Sequence, residues 1–332
     1  MDGVDDWPLF DTDINWDAAQ DALVQAGLSD GLPLVIPTRE RLAAMLAGMA
    51  DPERSHGQMP PLFRELTGVA VAYNCVLAGC SPGALPVVLT ASIACLDPGF
   101  NLLGLATTTG SPAVATIVHG PVIEKLEMND GGNCLAPGNR ANATLGRAVS
   151  LVMRNIAGMS PGIADMATMG QPGKYGFCFP ETRTSHLPLY HARHGLDAND
   201  SAVTVLGVSG TAEVLPSAEA GNWSTPEDIL RPVALMMQAA IVAGGGARKP
   251  EPNGQLLLLP PELADLMVLR GWTFDRIENQ LCAGIQAVSG GSTEISPSNI
   301  HILVTGGPGV KMTVIPLWGG GTLPITRALL AA

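Results

Sequence analysis

Apolar residues recur at helical spacing in several stretches of this chain and run almost unbroken in others. Between residues 139 and 156, Leu145, Ala148, Val149, Val152, Met153 and Ile156 follow the three-and-four spacing of one buried helix face. The same spacing predicts a helix over residues 16–27, with Ala19, Leu23 and Val24 on one side. Thr38 is a good N-cap for a helix carrying Leu42, Met45, Leu46 and Met49. Ser81 and Pro82 supply a cap and a first-turn proline for a helix to about residue 96. Thr225-Pro-Glu-Asp228 is a capping box opening a helix that Gly244-Gly-Gly246 ends. Two more helices follow at residues 261–270 and 274–283, the second capped by Thr273.

Short apolar runs between glycines and prolines predict strands at residues 114–118, 177–179, 203–208, 255–259, 300–305 and 310–316. Gly306-Gly-Pro-Gly309 reads as a hairpin between the last two, its spacing being wrong for a phosphate loop. Residues 30–38 are extended and pinned by Pro33 and Pro37, residues 51–61 form a polar loop, and residues 158–176 a glycine-rich one. The apolar run at 66–77 has no periodicity that assigns it. No sequence repeat is visible. The class is α/β or α+β, with mixed sheets and flanking helices. The chain is then one large domain or two closely packed ones: a site-bearing region at 1–200 and a second at 201–332, with the break near 195–225.

Charged residues make up 14% of the 332 positions, against roughly 25% in ordinary soluble proteins. With 46% apolar but only 4% aromatic residues, the core must be built of Ala, Val, Leu, Ile and Met. So little charge implies covered surface, most simply a homo-oligomer. The net charge of −12 argues against a nucleic-acid partner. No run approaches the ~18 apolar residues of a membrane span, and the acidic N-terminus lacks a signal peptide's apolar core. The six cysteines therefore read as free thiols of a cytoplasmic protein.

The most informative stretch is Gly131 to Arg147, a loop of little apolar bulk running into a helix. A helix N-terminus offers unpaired N–H groups and partial positive charge, so Asn139, Arg140, Asn142 and Arg147 make a candidate anion site, with Asn133 and Gly138 in the approach. Arg140 and Arg147, two turns apart, share one side of the helix; salt bridges are the structural alternative. Cys80 precedes a helix start, which favours thiolate. Cys134 lies at the mouth of the anion site, and Cys178 alternates with Phe177 and Phe179. Lys174 and Glu181 are candidates for moving protons or meeting developing charge, and His119 ends a strand as a candidate acid/base. Cys75, Cys95 and Cys282 sit in apolar runs and read as core.

His186, His191 and His194 invite a metal reading, but a proline interrupts the segment and no zinc motif occurs, so no metal ligand is assigned. Glycine-rich dinucleotide and nucleophile-elbow motifs are missing, so NAD, ATP and PLP are not invoked and no cofactor is assigned.

Several motifs occur together: Asp30-Gly-Leu-Pro-Leu-Val, Asn74-Cys-Val-Leu-Ala-Gly-Cys80, Pro137-Gly-Asn-Arg-Ala-Asn-Ala-Thr-Leu-Gly-Arg147, Gly170-Gln-Pro-Gly-Lys-Tyr175, Phe177-Cys-Phe179, Gly271-Trp272 and Gly306-Gly-Pro-Gly309. As a set they resemble a family of bacterial proteins of no assigned activity, associated as neighbours or fused partners with the UGSC-motif (seleno)proteins. The resemblance covers nearly the whole chain and draws Asn74 into the substrate-binding candidates. It implies a cytosolic enzyme or enzyme subunit with a thiol- or selenol-bearing partner. The chain departs from the family pattern at His119, where Asn is usual, and after Glu181, where the family is more acidic.

The reading favoured by these residues is an enzyme that uses a cysteine thiol on a small anion such as a carboxylate, by addition/elimination, hydrolysis or thiol redox. A non-catalytic subunit completing a thiol or selenol partner, and a Cys/His metal enzyme, are the alternatives.

Overall fold

A computed structural model describes residues 7–184, 186–216, 225–245 and 253–330. The chain opens with α1 (Trp16–Gln25) and α2 (Arg39–Leu46), capped by Asn15 and Thr38. A small hairpin, β1 (Ser55–Met59) and β2 (Arg64–Thr67), stands where a polar loop and the start of an unassigned apolar run are expected. The rest of that run is α3 (Gly68–Ala78), buried on nearly all sides, which is why it shows no amphipathic period. Then come α4 (Leu85–Ala94), α5 (Leu102–Ala106), β3 (Ala113–His119), α6 (Val122–Lys125) and α7 (Arg140–Val152), which a π-turn extends through Met153–Ala157. β4 (Cys178–Pro180), α8 (Tyr190–Arg193), β5 (Ala202–Val208) and β6 (Ala212–Val214) follow. The chain finishes with α9 (Pro226–Ala243), β7 (Gln255–Leu259), α10 (Pro261–Leu269), α11 (Phe274–Val288), β8 (Ile300–Val304), β9 (Met312–Pro316) and β10 (Ile325–Ala328).

The strands form two four-stranded mixed sheets, ordered β10-β5-β3-β4 and β6-β9-β7-β8. Strand alternation gives each sheet two buried faces. Ala113, Ala115 and Ile117 of β3 and Leu206 of β5 meet Leu256, Leu258, Leu303 and Ile315 of the second sheet in one core. The opposite faces carry Val114, Val118, Val203 and Val205, packed on α3, α4 and α7, and Leu257, Leu259, Ile302 and Val314, packed on α9, α10 and α11. The protein is thus an α/β chain in four layers: helix, sheet, sheet, helix.

The two sheets share one connectivity. β3 pairs in parallel with β4 and antiparallel with β5, as β7 does with β8 and β9. The edge strands are exchanged: β6, which follows β5, joins the second sheet, and β10, which follows β9, returns to the first. This duplicated topology carries no sequence repeat. It also corrects two expectations. A division at residue 200 would cut the first sheet, because β5 and β10 lie beyond it. And residues 306–309 do not close a hairpin, because β7 lies between β8 and β9. That glycine turn packs instead against Gly132, and Gly306 N–H donates to Asp130 O at 2.9 Å.

Among the described residues no single helix is long and apolar enough to cross a membrane. The apolar stretches Pro82–Ala94 and Pro98–Ala106 are bent by 76° from one another and supply core residues such as Val88, Leu89, Leu102 and Leu105.

Candidate active site and buried polar centre

A cavity of about 500 Å³ opens beside the start of β3, between the C-terminal part of α7 and the loop before β4. Pro112, Ala113 and Val114 form one wall, and Ser150, Met153 and Arg154 another. The third is residues 159–175, contributing Asp165, Gln171, Lys174 and Tyr175 among others. That loop is fastened at several points: Thr168 N–H donates to Thr109 O at 3.0 Å, Gly170 N–H to Ser111 Oγ at 3.1 Å, and the Gln171 amide to Val208 O at 2.9 Å. Exposed Ile163, Met166, Met169 and Tyr175 give it an apolar outer surface.

The charges around this cavity are unequally balanced. Lys174 Nζ holds both carboxylate oxygens of Asp165, at 2.6 and 2.7 Å. Arg147, on α7, makes a two-pronged pair with Asp30 at 2.8 and 2.9 Å and also donates to Pro33 O. Arg154 has no carboxylate or hydrogen-bond partner among the described residues, and its Nε is buried. It also lines a smaller adjoining cavity of about 220 Å³. A second large cavity, about 580 Å³, is walled by Gly319-Gly-Gly321, Trp318 and His301 and gathers no such set of charges.

The proposed anion helix is built differently from its expected use. Asn139 caps α7 by accepting from Asn142 N–H, and its amide donates to Glu127 O. Asn142 is buried, donating to Asn129 O and Cys134 O. Asn133 takes a left-handed backbone and bonds Pro137 O, and exposed Gly138 has φ of 136°. Asn74 lies wholly in the core, between Ala70 O and the Asn155 amide.

Cys80 and Arg140 do come together. Arg140 donates twice to Gly79 O, at 2.8 and 3.1 Å, so that it caps the end of α3. Cys80 Sγ reaches Thr144 O at 3.4 Å. A hydrogen bond from Cys75, the neighbouring Thr144 and the Arg140 charge pull the Cys80 thiol below its ordinary value in spite of burial. Burial pushes Cys178, on the helix-facing side of β4, far above the thiol range, and raises Cys134, which sits against Thr305. None of these three sulfurs lines the 500 Å³ cavity, which Lys174 does.

A different cluster occupies the other end of β3. Because β3 and β4 run in parallel, their C-terminal ends place His119 beside Glu181, whose N–H donates to Val118 O at 2.9 Å. Ligands of open α/β sheets characteristically sit at such strand ends. His119 Nδ1 donates to Glu181 Oε2 at 2.7 Å, and its Nε2 accepts from Thr204 Oγ1 at 2.8 Å, which in turn meets Thr326 Oγ1 at 2.8 Å. Tyr190 N–H, at the start of α8, donates to Glu181 Oε1 at 2.8 Å. His191 on that helix completes the group, its ring fully buried and tilted against His119 at a centroid distance of 5.2 Å. Burial pushes the Glu181 carboxyl up, but the His119 N–H, the nearby His191 and the Tyr190 N–H hold it down at about 2. Burial outweighs Glu181 in lowering His119, so the pair is carboxylate and neutral imidazole.

His119 and Glu181 are thus joined, but to each other and to His191, far along β3 from the cavity. His186 and His194 are exposed and outside the cluster. Nothing in the sequence singles out Arg154, at the end of an apolar helix face; it is marked by the lack of a partner among the described residues.

A comparison with protein-family models finds no match, and a comparison with curated proteins finds no relative.

Proposed function

We propose that this chain is an enzyme acting on a small organic anion, with the carboxylate of the substrate held by Arg154 in the 500 Å³ cavity. The observation that carries this reading is a charge count. Lys174 and Arg147 are neutralised by Asp165 and Asp30, whereas the Arg154 guanidinium meets the cavity without a counter-ion among the described residues. A part-buried guanidinium is best satisfied by a planar, two-oxygen acceptor, and carboxylate has that shape. Met153, Met159, Met169 and Tyr175 offer an apolar bed for the substrate's body. The Lys174–Asp165 pair stands beside that bed: the Lys174 ammonium donates a hydrogen bond to charge developing on the substrate, and the Asp165 carboxylate holds that ammonium in place.

The thiols stand apart from the bound anion. Cys80 is the one cysteine whose surroundings favour thiolate, but its sulfur lies away from the cavity wall. Chemistry on the bound anion is therefore assigned to Lys174 and Asp165.

The test is a thermal-shift screen of small mono- and dicarboxylates against their neutral amides, on the wild type and on Arg154→Met. Carboxylates should raise the wild-type Tm, their amides should not, and the variant should respond to neither. A carboxylate that stabilises both proteins equally refutes the role of Arg154. Failure of every carboxylate refutes the substrate class.

A further inference from the structure

We propose that His119, Glu181 and His191 form a binding site for one divalent first-row transition ion, at the C-terminal ends of β3 and β4. The site is independent of the anion cavity, which lies at the opposite end of β3.

The first observation is the donor set. Two imidazoles and one carboxylate each present an atom, and these atoms lie within 4.8 Å of one another. His119 Nδ1 and His191 Nδ1 lie 2.7 and 3.9 Å from the same oxygen, Glu181 Oε2. Neighbouring ligands of an ion with bonds of about 2.0–2.1 Å stand roughly 3.0–3.4 Å apart. Opening the short separation and closing the long one by about half an ångström each brings both into that range. Two His and one carboxylate suit zinc and ferrous iron rather than magnesium or calcium, which prefer oxygen.

The second observation is independent of the first. The His191 ring is fully buried, and neither of its nitrogens has a hydrogen-bond partner among the described residues. Buried polar atoms are nearly always bonded, and an imidazole with both nitrogens idle calls for an explanation. An ion on His191 supplies it.

The surroundings are built as metal sites are. His119 Nε2 backs onto Thr204, whose hydroxyl reaches Thr326. With an ion on Nδ1, the ring proton sits on Nε2 and donates to Thr204, which turns its own proton toward Thr326. Such outer partners fix the tautomer and direction of ligating histidines. Glu181 Oε1 stays bonded to Tyr190 N–H and leaves Oε2 for the ion. The duplicated topology adds a contrast. Thr305 N–H donates to Leu259 O as Glu181 N–H does to Val118 O, so Thr305 and Pro260 occupy the matching places in the second sheet. The acid and the imidazole were placed in one half only.

The test uses the full chain stripped with chelator and then titrated with Zn²⁺, and with Co²⁺ as a spectroscopic probe. Wild type should take up one equivalent, with the visible bands of histidine-bound cobalt. Zinc at a hundredfold excess over Kd should raise Tm by about 4 °C. His191→Leu should lose uptake while its metal-free form keeps the circular dichroism of folded, metal-free wild type. Thr204→Val should bind about ten- to a hundredfold more weakly. Exposed His194→Gln should bind as wild type. Folded wild type that takes up no zinc overturns the proposal. So does uptake that survives His191→Leu, which would place the ion on thiols or on the surface.

Discussion

Gly146, in the middle of α7, is where the helix touches the segment that carries Lys174 and Tyr175 toward the cavity. A Cβ built there would stand 2.7 Å from Phe177 N and 2.9 Å from Cys178 N, and one built on Gly176 would stand 2.6 Å from Arg147 N. These are backbone atoms on both sides, so no side chain can swing away. Gly146→Ala must widen the contact by about 0.7 Å to reach ordinary van der Waals distance. Overpacking of this kind costs about 1–3 kcal/mol, and the helix preference for alanine returns about 1 kcal/mol. The net loss, about 1 kcal/mol, lowers Tm by about 1–2 °C in a chain of 332 residues. The sign matters more than the size, because at an open helix position the same change stabilises. Thermal and urea unfolding followed by circular dichroism decide it, and a Tm equal to or above wild type would refute the close packing of α7 on β4. The same widening separates Arg154 from Lys174, so carboxylate binding in the variant should weaken as well.

Three further outcomes are expected. Asp165→Asn leaves Lys174 a second uncompensated cation at the cavity, so carboxylates should bind about tenfold more tightly in calorimetry while turnover falls; weaker binding would mean that Asp165 organises the loop and does not restrain Lys174. Burial pushes His301 down to about 4, with His194 and Arg193 assisting. Protonation therefore favours the unfolded chain, and the stability this histidine contributes is present above pH 6.5 and lost progressively toward pH 4; His301→Asn should show a shallower loss over that window in urea titrations, and an unchanged slope would contradict the assignment. All six cysteines are buried, so fewer than one thiol per chain should react promptly with a chromogenic disulfide under native conditions and six after denaturation; two or more prompt thiols would contradict the packing.

The sequence makes local structure legible and pairing opaque. α7, α9 and β7 follow from spacing and caps, because those signals act within a few residues. α3 escapes because a helix buried all round has no polar face to mark it. The strand exchange escapes because edge pairing depends on chain paths, and β6 and β10 are short and only partly buried. At the sites, residue type was informative and partnership was not. Arg140 and Arg147 are plausible anion holders by position and Lys174 a plausible partner for developing charge, yet Gly79 O, Asp30 and Asp165 take them up, Asp30 from 117 residues away. His119 and Glu181 are separate candidates by residue type, 62 residues apart, and only the parallel pairing of β3 with β4 makes them one unit.

The loan of edge strands between the sheets has a bearing on assembly during synthesis. The first sheet cannot acquire its outermost member until residues 325–328 have been made, since β10 supplies it. An N-terminal fragment ending after β6 would carry an open edge along β5 and a stray strand with no sheet to join, so the halves are expected to mature together and not in turn.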